Sequence, residues 1–277
     1  MSHDATASEA PSPELAGPRH RRRGPHLLDR VLGAVGELLI AAGVLVGLFV
    51  VWQLFYTDVT ADREQAQIVE DFVASVSAGD AGGASGSGDP TDDVQVVQSI
   101  PAEYQFTDDP PVMSEPGHAD TFAVMYVPRW GADYAKPIGQ GVDKAGVLNV
   151  IGIGHYPGTA MPGGLGNFAV AGHRTTYGKP FADIDRLQEG DSIVIQTADA
   201  WYVYTVTSHE IVLPTAVDVI APVPDQPGAS ADGRYITLTS CHPRFSAAQR
   251  WVVHGQLAYW APLGHGEPAE MLEGTAS

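Results

Sequence analysis

The chain has one cysteine, Cys241, and the residues around it set the chemistry that the rest of the sequence must serve. Tyr235, Ile236, Thr237, Leu238 and Thr239 are β-branched, aromatic or aliphatic, the composition of a strand, and the run stops at Cys241, close to Pro243, which lacks a ladder N–H. A second strand-like run, from Arg250 to Leu257, begins nine positions after Cys241, so the two can pair across a short loop and point Arg250 back toward the thiol. A free cysteine, with a pKa of about 8.5, is mostly thiol at neutral pH, so nucleophilic work needs a base and a positive field. His173 is the best partner: it ends the strand-like run Phe168 to Ala171, and Gly172 before it permits tight backbone geometry.

Attack of a thiolate on a carbonyl creates an oxyanion, and arginine offers fixed, permanently charged N–H donors for it. Arg250, at the start of the returning strand, fits that role. Arg244 competes, but it lies in the loop three residues after Cys241, where its side chain is less constrained. Taken singly, a cysteine is most often a small buried hydrophobe, and a lone His or Arg decorates a core or a surface. The case rests on all three lying at strand boundaries of one domain. A zinc site built from His155, His173, Cys241 or His242 lacks support, because neither a His-Glu-x-x-His nor a Cys-x-x-Cys spacing occurs.

The positioning elements are mainly β. Phe122 to Val127, Phe168 to Ala171, Ser192 to Gln196, Trp201 to Ile211, Arg234 to Thr239 and Trp251 to Leu257 read as strands punctuated by Gly, Pro and Asp. Short helices fit only around Ala145 to Ile151 and Phe181 to Leu187. Many short strands with few helices indicate a small closed or nearly closed barrel over residues 120–262.

Ahead of it the composition changes twice. Residues 1–30 read as a cytoplasmic tail, with residues 1–18 polar, aperiodic and disordered and an arginine-rich run at 19–23. Residues 31–56 read as a transmembrane helix, since the only charge from Val31 to Phe55 is Glu37 and about twenty apolar residues cross a bilayer. A cleaved signal peptide would have a shorter apolar region, although Val59-Thr60-Ala61 imitates a cleavage site. Five arginines (Arg19, Arg21, Arg22, Arg23, Arg30) precede the apolar block and Arg63 alone follows shortly after, which keeps the N-terminus in the cytoplasm and the bulk outside. Residues 57–119 read as a linker: Tyr56 to Ala78 has near-helical apolar spacing that can continue as a short extracellular helix, Gly79 to Pro90 is Gly/Ser/Asp-rich, and the Pro- and Asp-rich segment to about Asp120 stays irregular or lies on the domain as an arm. Residues 263–277 form a C-terminal tail.

Charge narrows the partners. The net charge is −18, and since residues 1–56 carry five arginines against Asp4, Glu9, Glu14, Asp29 and Glu37, the remainder holds all of it. So acidic a body repels phosphate backbones, which argues against nucleic acid. With one cysteine there is no intramolecular disulfide, and the fold stands on its core.

Thr237-Leu238-Thr239-Ser240-Cys241 with Arg250 on the next strand, together with Gly154-His155-Tyr156-Pro157-Gly158-Thr159-Ala160 and Gly172-His173-Arg174 upstream, resembles the sortases, membrane-anchored transpeptidases of Gram-positive bacteria. Cys241-His242-Pro243-Arg244 and His173-Arg174-Thr175-Thr176-Tyr177-Gly178-Lys179-Pro180-Phe181 are most similar to the class E sortases of actinobacteria. The resemblance covers about residues 121–262 and departs at Ser240, where the family usually has Thr. It implies an eight-stranded β-barrel, with Cys241, His173 and Arg250 at the nucleophile, acid/base and oxyanion-stabilising positions. The implied reaction needs no metal or organic cofactor. Tyr156 and Tyr177, each close in sequence to an expected active-site segment, are candidates for a groove-lining polar side chain or else packed barrel-edge tyrosines, and Thr239 and Ser240 beside the cysteine are further substrate-binding candidates. The implied substrates are surface proteins with a C-terminal sorting signal, cleaved between Thr and Gly, and the implied acceptor is an amine of the lipid-linked peptidoglycan precursor. Class E relatives favour Leu-Ala-x-Thr-Gly over Leu-Pro-x-Thr-Gly.

Two other readings compete. L,D-transpeptidases also combine Cys, His and Arg, but their His and Cys lie much closer in sequence and the Cys follows Gly, whereas here 68 positions separate His173 from Cys241 and Ser240 precedes it. A non-catalytic anchored extracellular domain would leave Cys241 incidental.

Overall fold

The computed structural model describes residues 27–81 and 98–273; most of the N-terminal tail, the Gly/Ser/Asp-rich stretch and the last four residues lie outside them. The chain divides into two compact units, Met1–Val51 and Trp52–Ser277.

A single helix, α1 (Leu27–Ala81), contains the apolar block. Its segment Arg30–Trp52 spans 23 residues with a mean hydropathy of 2.5, about 34 Å at 1.5 Å per residue, enough to cross a hydrocarbon core of about 30 Å. The helix does not end at residue 56. It continues to Ala81, through the first part of the segment read as linker, and in the second unit this continuation is held by specific contacts. Asp62 pairs with Lys136 at 2.5 Å, Asp58 with Lys179 at 3.1 Å, and the buried Gln65 donates from Nε2 to the Tyr177 carbonyl at 3.0 Å.

The rest is a closed barrel of eight strands: β1 (Thr121–Tyr126), β2 (Ala135–Gln140), β3 (Ile153–His155), β4 (Gly166–Gly172), β5 (Ser192–Gln196), β6 (Ala200–Val212), β7 (Arg234–His242) and β8 (Gln249–Pro262). Around the barrel they run β1-β2-β3-β4-β7-β8-β6-β5, and β5 returns to β1. Most neighbours are antiparallel; β2–β3 and β4–β7 are parallel. Closure leaves no edge strand to protect. Phe168, Val170, Ile236, Leu238, Val253, Tyr204 and Phe181 fill the interior.

The sequence reading had no β2 or β3. β2 contains Pro137 and Gly139 and β3 has three residues, so neither shows a strand pattern; pairing to β1 and β4 defines them. The two expected short helices are a π-turn at Lys144–Leu148 and a 3₁₀ turn at Ile184–Arg186. Residues 98–119 lie on the barrel as an arm. Backbone pairs join Ile100 to Glu267 and Phe106 to Trp260, and Tyr202 donates its hydroxyl to the Pro111 carbonyl. Beyond the barrel, Ala269–Glu273 forms a short helix, α2.

Candidate active site

β4 and β7 run parallel, so their C-terminal ends meet at one end of the barrel, with Ala171 opposite Thr239. That brings His173, the residue after β4, beside the end of β7 that carries Cys241. The strand does not stop at Cys241, as its sequence suggested, but runs one residue further: Cys241 pairs with Arg250 and His242 with Gln249 across β7 and β8. Gly172 is required by packing rather than by a special φ. A Cβ there would stand 2.8 Å from the ring of Phe181, which is fully buried in the core. Ser240, also buried, donates its hydroxyl to the Gly172 carbonyl at 2.8 Å and ties the two strands together beside the histidine.

A cavity of about 210 Å³ opens here, lined by Lys144, Tyr156, His173, Thr239, Ser240, Cys241 and Arg250 among others. A larger cavity of about 530 Å³, between residues 158–167 and 220–231, has no nucleophilic thiol and no titratable side chain in its lining, so it cannot supply this chemistry. Tyr156 shares a 2.9 Å hydrogen bond between its hydroxyl and Thr239 Oγ1. Tyr177 is not among the cavity-lining residues; its ring sits tilted against His173 with centroids 5.3 Å apart, and its carbonyl is the one held by Gln65.

His173 has a partner that its sequence neighbourhood does not reveal. Asn149, at the end of the π-turn, places Oδ1 2.8 Å from His173 Nε2. An amide oxygen only accepts, so Nε2 carries the proton and Nδ1 is left with the lone pair. Burial lowers the His173 pKa from its ordinary value, and the positive charge of Lys144 lowers it further, so the imidazole is neutral at neutral pH.

The two arginines differ sharply. Arg250 donates from one Nη to the carbonyls of Ala247 and Gln249 at 3.0 and 2.9 Å, which anchors the guanidinium at the cavity wall with three further N–H donors on its other nitrogens. Arg244 turns to the Ala182 carbonyl and to Asp183 and Asp185, and does not line the cavity. A third arginine, Arg174, is buried behind the site. It pairs with Asp185 at 2.5 Å, donates to His242 Nδ1 at 2.9 Å and lies over the Trp251 ring. His155, another zinc-ligand candidate, has both ring nitrogens engaged, Nδ1 with Gln140 Oε1 and Nε2 with Thr159 Oγ1.

A thiol, a neutral imidazole with a fixed tautomer and an anchored guanidinium in one cavity are the groups that acyl transfer needs. This barrel is also what known proteins match. A family model described as a sortase domain fits residues 125–258, and the chain belongs to the sortase family of transpeptidases. Sortase SrtE1 of Streptomyces coelicolor is 34% identical over 273 residues, 96% of this chain and 68% of that protein. Among solved structures, the SrtA sortase from Actinomyces oris is 46% identical with a TM-score of 0.57, covering 60% of this chain and 95% of that one. Sortase E1 from Streptomyces coelicolor with a tripeptide in the active site is 38% identical with a TM-score of 0.51, covering 55% and 97%. The class E character read from the Cys-His-Pro-Arg and His-Arg-Thr-Thr-Tyr-Gly motifs is the one these Streptomyces relatives carry.

Proposed function

We propose that this sortase cleaves a C-terminal sorting signal between Thr and Gly and transfers the acyl group to an amine of the lipid-linked cell-wall precursor. The observation that carries the reading is the register of Cys241 with Arg250 in one cavity with His173. The Cys241 proton passes to His173 Nδ1, the nitrogen that holds the lone pair, and the sulfur bonds to the Thr carbonyl carbon. Arg250 faces the oxyanion so formed. The C–N bond to Gly then breaks, His173 returns the proton to the leaving amine, and a thioester remains on Cys241. An incoming amine attacks that thioester, gives up a proton, and leaves as a new amide while the thiol is restored.

A sorting signal with Ala in second place, Leu-Ala-x-Thr-Gly, is the preferred substrate. Ala keeps an N–H that Pro lacks, and the polar wall formed by Tyr156 and Thr239 supplies acceptors for it. The tripeptide in the related Streptomyces coelicolor active site supports a peptide ligand. The apolar part of α1 anchors the chain with its N-terminus in the cytoplasm and the barrel outside, as the arginines before residue 31 direct. A protease site introduced near residue 90 is then cut from outside intact protoplasts, and cleavage only after membrane rupture contradicts that orientation.

The reading is tested by incubating the protein with Leu-Ala-x-Thr-Gly and Leu-Pro-x-Thr-Gly peptides and an amine, and following the amine-capped product by mass. The expected result is capping of both with a higher kcat/KM for the Ala peptide. Equal values, or a preference for Pro, remove the specificity assignment, and no capped product with either peptide removes the proposed substrate.

A further inference from the structure

His254 lies on β8 opposite Thr237 of β7, four residues before Cys241 and so about 13 Å away along the strand. Its side chain is 6% exposed, and the reaction proposed above makes no use of it. Its Nδ1 is 2.9 Å from Thr237 Oγ1, and that hydroxyl is 2.8 Å from Asn167 Oδ1. The orientation of the Asn167 amide is fixed because its Nδ2 donates to the carbonyls of Val219 and Ala221. Oδ1 therefore accepts the Thr237 proton, and Thr237 Oγ1 in turn accepts from His254 Nδ1–H. The remaining nitrogen, Nε2, points at Glu210 Oε1 at 3.4 Å and Asp225 Oδ2 at 3.6 Å.

Two carboxylates would repel the lone pair of a neutral imidazole at Nε2, and a cation between the three groups would remove that conflict. The two separations from Nε2 suit that cation. Ligands about 2.0–2.2 Å from a tetrahedral ion stand about 3.3–3.6 Å apart, the range of both Nε2–oxygen distances. All three ligand atoms lie within 4.8 Å of one another, and this is the only His/Cys/Asp/Glu group of three or more among the described residues that is close enough to hold an ion. We propose that Glu210, Asp225 and His254 bind a first-row divalent cation of the zinc type, with water in the fourth position. The hydrogen bond from Nδ1 to Thr237, itself tied to Asn167, fixes the ring with Nε2 toward the two carboxylates, the orienting role that an outer partner plays for a metal-ligating imidazole. One nitrogen and two carboxylates favour zinc over calcium, which takes six to eight oxygens. Two carboxylate charges balance the ion. The ligands come from β6, from the connection between β6 and β7, and from β8, so the ion joins that connection to the barrel wall.

The test uses the full chain carrying Cys241→Ala, so that thiol binding is not counted, stripped with chelator and dialysed against Zn²⁺. The expected result is one equivalent bound, Co²⁺ substitution giving the visible bands of a tetrahedral N/O site, and at least a tenfold loss of affinity in Glu210→Gln and Asp225→Asn. Glu210 is half-buried and Asp225 exposed, and both changes are near-isosteric, so the core stays intact. Absence of saturable binding overturns the proposal and leaves an imidazolium–carboxylate ion pair. Undiminished binding in both variants places the ion elsewhere and overturns it too, as does preferential binding of Ca²⁺.

Discussion

Asn149→Ala probes the imidazole without touching the thiol or the guanidinium. The asparagine makes a 2.8 Å hydrogen bond to His173 Nε2, and removing it frees the ring to rotate and to exchange its proton between nitrogens. A side-chain hydrogen bond of this kind contributes about 0.5–1.5 kcal/mol, and with 1.36 kcal/mol per tenfold change this becomes a fall in kcat of about two- to thirteen-fold. KM should hardly move, because Asn149 is not among the residues lining the cavity. Asn149→Asp separates orientation from charge. It preserves the acceptor, and its negative charge favours the imidazolium, so the His173 pKa should rise. The assay is steady-state kinetics with a sorting-signal peptide, paired with a histidine titration followed by NMR. An unchanged kcat in Asn149→Ala, or an unshifted His173 titration in Asn149→Asp, would refute the argument that this amide sets the tautomer.

Three further outcomes are expected. Arg250→Ala should lower kcat by about 10²–10³, the usual loss of an oxyanion donor, and Arg244→Ala by much less because it is tied to Ala182 and Asp183; a larger loss for Arg244→Ala in the same assay would reverse the roles. Lys144→Met should raise the His173 pKa by removing the second cause of its depression, and the imidazole limb of the kcat/KM–pH profile should move to higher pH; a static limb contradicts this. The depressed folded pKa also makes the His173 contribution to stability complete above its unfolded value of about 6.5 and progressively lost as pH falls from there to the folded value. Gly172→Ala should destabilise by about 1–3 kcal/mol through overpacking, since the new Cβ meets the fully buried Phe181 ring at 2.8 Å; an unchanged Tm would show that the ring yields.

The site was legible where a residue's type and its strand context agree. Cys241, His173 and Arg250 each sit at the boundary of a run whose β-composition is strong, and pairing those runs brings the three together. Asn149 was not legible, because nothing in Val147-Leu148-Asn149-Val150 marks an amide that meets a histidine 24 positions away; only the fold supplies that contact. β2 and β3 were missed for a similar reason, since their order comes from neighbouring strands rather than from alternation. Tyr56 to Ala78 reads as a candidate helix at the start of the linker. The buried Gln65 and its bond to Tyr177 show that this stretch packs on the loop following His173, a role that periodicity does not encode. Tyr177, a groove candidate from its position near the histidine, packs its ring against the imidazole and is not among the residues lining the cavity.

The central claim is that Cys241 carries the acyl group. It is tested most directly by mixing the protein with a sorting-signal peptide in the absence of an amine acceptor, quenching in acid and measuring intact mass. The account predicts an adduct equal to the peptide up to and including its Thr, located on Cys241 by peptide mapping, discharged by hydroxylamine and absent from Cys241→Ala. Product formation by Cys241→Ala, or an adduct on any other residue, would contradict it.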